Sequence, residues 1–106
     1  MFDARFYHEV LPERLLAECK LRPGDTLVVV LQLADGAALD LCHLVHLGEE
    51  WFSVQYFRDA ESCDDMDLAF LPYELVKMVT VSLRHPSARR IGFSLKSEPD
   101  GKKGTA

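Results

Sequence analysis

At 106 residues the chain makes one domain, and 48% hydrophobic residues allow a real if small core. No apolar run reaches the ~20 residues of a membrane span, and the opening MFDARFYHEV lacks the basic-then-apolar order of a secretion signal. The formal charge of −5 conceals an acidic body, with six Lys/Arg against fifteen Asp/Glu in residues 1–83, and a basic end, with six against two in 84–106. Such a body repels polyanions over most of its surface. Three cysteines, Cys19, Cys42 and Cys63, form no paired framework and no C-x-x-C spacing, so a reduced, cytoplasmic setting is expected.

Residues 12–20, PERLLAECK, read as a short helix. Pro12 suits a first helical position, Glu13 and Lys20 suit the two ends of the dipole, and Leu11, Leu15 and Cys19 share a face that must lie on something. RPGD at 22–25 ends it. From Thr26 the period changes to two. TLVVVLQL at 26–33 is apolar on both faces, as a central strand is, and Asp35-Gly36 supplies the positive φ of a tight hairpin. AALDLCHLVHL follows, with Leu39, Leu41, His43, Val45 and Leu47 expected on one face. After a turn at Gly48-Glu49-Glu50, WFSVQYFR puts Phe52, Val54 and Tyr56 on one face and Trp51, Ser53, Gln55 and Phe57 on the other.

The acidic stretch 59–67 reads as a solvated loop, 68–71 as a short strand, PYEL at 72–75 as one turn of tight helix or a bend, and 76–83 as a further strand. RIGFSL at 90–95 can pair on an edge, and 98–106 is a flexible tail by composition. A single domain over 1–97 is therefore expected: a helix at about 12–20, then an all-β, small, strongly bent five-stranded barrel over about 26–83, with a basic C-terminal extension. An α+β sheet covered on one face by the helix is the other arrangement compatible with this order of elements.

CHLVH at 42–46 invites a metal, but alternation sends Cys42 and His43 to opposite faces. Cys42 and His46 would share a face about 13 Å apart, too far for one ion. The acidic loop lacks the alternating carboxylates and central glycine of a calcium loop. No G-x-S-x-G turn and no glycine-rich phosphate loop is present. Neither an enzyme, nor a cofactor, nor a metal is expected. Outward Trp51 and Phe57, together with Tyr73 and the Val76/Met78 face of the last strand, are expected to form an apolar surface for a partner or for further copies of the chain.

Leu31, Leu33, Asp35, Gly36 and Leu39 follow the pattern apolar-x-apolar, Asp-Gly turn, alternating apolar. With the order of strands and the preceding helix, residues 11–83 resemble the Sm-like family. The resemblance implies a small barrel, a homo-oligomer in the form of a ring, and RNA as ligand. Departures accompany it: Leu41 stands near the glycine that lets the family's second strand bend, Glu49, Glu50 and Trp51 stand at the uridine-binding positions, and Pro72, Tyr73 and Glu74 occupy the basic or glycine-rich second turn. The residues expected to bind, for RNA or for a protein partner, are Trp51, Phe57 and Tyr73 of the apolar surface and Arg89 and Arg90 of the basic end, with Trp51 and Tyr73 able to stack on bases. The rival reading is a protein-interaction adaptor with no nucleic acid.

Overall fold

Helical structure begins at Ala4, well ahead of the expected start at Pro12. The computed structural model, which describes residues 1–59 and 65–94, carries wide turns through Phe6–Val10 and then a regular helix, α1, over Leu11–Leu21. Asp3 starts it, its Oδ1 accepting the Phe6 N–H at 3.0 Å. Pro12 was the misleading signal. A proline inside a helix lacks one N–H and crowds the carbonyl four residues back. Here the Leu11 N–H reaches the Phe6 carbonyl, five residues back, and this widened turn lets the chain pass through Pro12 without a break. Tyr7, Leu11 and Leu15, spaced by four, form the buried stripe.

Five antiparallel strands follow: β1 (Thr26–Leu33), β2 (Ala38–Leu47), β3 (Trp51–Phe57), β4 (Met66–Pro72) and β5 (Val76–Arg84), in the spatial order β4-β3-β2-β1-β5. A single tight turn, Tyr73–Leu75, joins the last two, within the expected PYEL. The chain is thus mostly β, with one short N-terminal helix on a five-stranded antiparallel sheet. β4 and β5 are the sheet's two edges and do not pair with each other. At the β1–β2 hairpin Gly36 has φ +93°, and the Asp35 Oδ1 accepts the Ala37 N–H at 2.9 Å, so both residues of the Asp-Gly pair contribute to the turn.

The core lies where α1 meets one face of the sheet: Tyr7, Leu11 and Leu15 pack with Val29, Leu31, Leu41, Phe52, Val54 and Leu71. β2 departs from simple alternation. Its register against β3 shifts between Leu41 and His43 and again between Leu44 and His46. Each bulge adds one residue and bends the strand. The core side of β2 is therefore Leu39, Leu41, Leu44 and Leu47, while Val45, expected on one face with Leu39 and Leu41, is exposed.

β1 and β2 pair only from Val30↔Asp40 to Gln32↔Ala38. Below that level they separate, and the basic segment after β5 enters the opening. The Phe93 N–H donates to the Leu27 carbonyl and the Ser94 N–H to the Cys42 carbonyl, both at 2.8 Å. The expected 90–95 edge strand is corrected by this: residues 91–94 bridge two inner strands and form no ladder. Gly92 makes the close approach feasible, because a Cβ there would overlap the Leu27 carbonyl oxygen. Residue 95, the centre of the acidic loop and the expected tail lie outside the described residues. Among the described residues no helix is long and apolar enough to cross a membrane.

Candidate functional site

Residues directly opposite in an antiparallel ladder point to the same side, so the register lays out the face turned away from the core. Asp40, Phe57 and Met66 form one row, His43, Gln55 and Leu68 the next, His46, Ser53 and Phe70 the third, and Trp51 with Pro72 the last. The bulges thus set His43 and His46 on one face, where alternation pairs Cys42 with His46.

The five residues expected to bind do not converge. Trp51 and Phe57 stand at opposite ends of β3, about 20 Å apart at ~3.4 Å per residue. Trp51 is 44% exposed and lies between two rings, His46 at 5.3 Å and Phe70 at 5.8 Å. Phe57 is buried instead of outward-exposed. The Arg89 guanidinium sits over its ring, 5.4 Å from the centroid, and grips Asp40 with two bonds of 2.7 and 2.9 Å. The Arg89 Nε also donates to the Ile91 carbonyl, and its own carbonyl accepts the Thr26 hydroxyl. Arg89 therefore acts as a clamp between the basic segment and the sheet. Arg90 is exposed beside it.

Tyr73 is buried too, which corrects the expected exposed surface of Trp51, Phe57 and Tyr73. Its ring lies flat on Phe52, with centroids 4.8 Å apart and planes 5° from parallel, and its hydroxyl donates to the Gly48 carbonyl at 2.6 Å. Burial raises its pKa above the usual range, with the Asp3 charge adding to that. The Tyr73 N–H meets the Glu50 carbonyl, so the turns after β2 and β4 are tied together. That end of the molecule carries exposed Glu49, Glu50 and Glu74 around Trp51.

The apolar outward surface is instead Met66, Leu68 and Phe70 on β4, with Trp51 at its end; Phe70 is 64% exposed. The sequence carried a signal for it, since Met66, Leu68 and Phe70 alternate. Met66 and Asp67, expected in the acidic loop at 59–67, both lie in β4, where Asp67 pairs with Arg58 at 2.8 Å. The Val76/Met78 face divides in the same way, because Val76 is buried and Met78 exposed.

His43 is half-buried in the second row, and burial lowers its pKa below the ordinary 6.5. A histidine held neutral by the fold takes up protons more readily once unfolded, so its contribution to stability is lost as pH falls through the unfolded value. Thermal melts should therefore show a loss of stability from pH 7.5 to pH 5.5 that is smaller in His43→Asn. An equal loss in both proteins would exclude His43 as its source.

No known protein family matches the chain, and neither a curated protein nor a solved structure matches it.

Proposed function

We propose that the chain is a non-catalytic binding protein of the cytoplasm, an Sm-like small barrel whose copies join through their sheet edges into a homo-oligomer. One observation carries this most directly. The strand order leaves β4 and β5 as edges, with Met66, Leu68 and Phe70 exposed on one and Met78 and Val81 on the other. An edge strand offers unpaired backbone groups, and protective lysines or interior prolines are the usual safeguard. β4 has neither; its proline, Pro72, stands at its end. Pairing β4 of one copy with β5 of the next is head-to-tail and closes into a ring when the rotation allows. The Asp35-Gly36 hairpin, the N-terminal helix and the two bulges of β2, which supply bending in place of a glycine, support the Sm-like plan.

RNA is the second reading, favoured by the Trp51–Phe70 pair as a stacking platform. Glu49, Glu50 and Glu74 beside it and the commitment of Arg89 to Asp40 favour weak binding, and hence a protein ligand. The joint change Leu68→Lys and Phe70→Lys alters only exposed side chains. It is expected to bring the assembly to a 12.0 kDa monomer with an unchanged far-UV spectrum. An unchanged assembly mass would remove β4 from the interface. Uridine-rich oligonucleotides should bind weakly, with an affinity that falls as salt rises. Submicromolar binding at physiological salt would move RNA to first place.

A further inference from the structure

Where β1 leaves β2, a groove of about 470 Å³ opens between α1 and the far half of β2. Leu11 and Leu15 line it from the helix, Leu44 and Leu47 from the strand, and Phe93 and Ser94 close one end. On its other side this half of β2 pairs with β3; towards the groove it has no ladder partner among the described residues. Tyr7 also forms part of the wall. It is 1% exposed, and its hydroxyl meets no hydrogen-bond partner among the described residues. A buried hydroxyl without a partner is costly, and a ligand group that reached it would supply the missing bond.

We propose that this groove is a peptide-binding site that receives an extended segment of a partner protein as an added strand on β2, with alternate apolar side chains turned into the groove and basic residues flanking them. A single bond of this kind is present at the groove's end, where the Ser94 N–H donates to the Cys42 carbonyl. Backbone pairing then gives affinity and the apolar wall gives selectivity. Among the described residues the groove wall itself carries no carboxylate, so the basic flanks are drawn by the acidic body as a whole, with fifteen Asp/Glu against six Lys/Arg in residues 1–83. The groove is distinct from the β4 and β5 edges, so this site stands or falls separately from self-assembly.

The test is fluorescence anisotropy of a labelled Lys-Val-Leu-Val-Leu-Lys peptide against the intact chain. Saturable binding is expected, weakened at least tenfold by Val45→Asp, a change at an exposed residue of the groove wall. Tyr7→Phe is expected to weaken binding several-fold while leaving the unliganded protein as stable as before or more so. A backbone N-methylated peptide should not bind, and an Asp-flanked peptide should bind several-fold more weakly. Absence of saturable binding, equal binding by the N-methylated or Asp-flanked peptide, or indifference to Val45→Asp would each overturn the proposal.

Discussion

Replacing Arg89 with alanine is expected to destabilise the fold by about 2–4 kcal/mol, far more than a surface arginine would. The Arg89 side chain is 10% exposed and its partner Asp40 17%, and the two share a pair of bonds with little solvent between them. Removal of the guanidinium leaves a carboxylate stranded on the sheet, uncovers the Phe57 ring and releases the basic segment from β2. On a domain of this size the loss corresponds to roughly 10–20 °C in Tm. Arg14→Ala is the control. Arg14 meets Glu18 at 3.5 Å on the outside of α1, an exposed pair worth at most about 0.5 kcal/mol. Similar melting temperatures for the two variants would show that the Arg89 clamp is not formed in solution. The clamp also bears on nucleic-acid binding: a change at Arg89 acts first on the fold, so the cleaner probe of phosphate contact is Arg90→Gln.

Gly92→Ala is expected to cost a comparable amount, about 2–4 kcal/mol, for a different reason. The added methyl carbon would overlap the Leu27 carbonyl oxygen and lie 2.9 Å from both its carbon and the Thr26 Cγ2. Two of these are backbone atoms of a central strand and cannot swing aside, so the 89–94 segment must lift away. It then forfeits the Phe93–Leu27 and Ser94–Cys42 bonds and the Arg89 clamp. Since both substitutions release one segment, their effects should not add: the double variant is expected to be little less stable than the worse single one. Chemical denaturation of all four proteins gives that comparison. Full additivity would mean that Arg89 and Gly92 act on separate parts of the structure.

Much of the sheet was legible because its strands obey period two over long runs. TLVVVLQL, WFSVQYF and VKMVTVSL lie within strands at nearly the expected limits, and Asp35-Gly36 and PYEL sit at the turns they suggest. β2 was not, because a bulge is an extra residue relative to a partner strand, and a single strand read alone does not show it. The spacing of Leu39, Leu41, Leu44 and Leu47 was its only trace. Pro12 masked the first helical turns, since its usual place at a helix start outweighed the Tyr7–Leu11–Leu15 stripe. The candidate site was least legible. Phe57 alternates with the outward residues as expected, but its cover comes from Arg89, and the bonds that hold Arg89 span 49 positions to Asp40. Tyr73 carries no sign in its neighbourhood that its hydroxyl closes the distant turn at Gly48. Pairings of that kind depend on the register of the whole sheet.

The central claim is that the two sheet edges, β4 and β5, make this chain assemble with itself. Multi-angle light scattering of the unmodified protein at micromolar concentration addresses that claim most directly. A single species with a mass several times 12.0 kDa is the expected result. A monodisperse 12.0 kDa monomer across that range would contradict it.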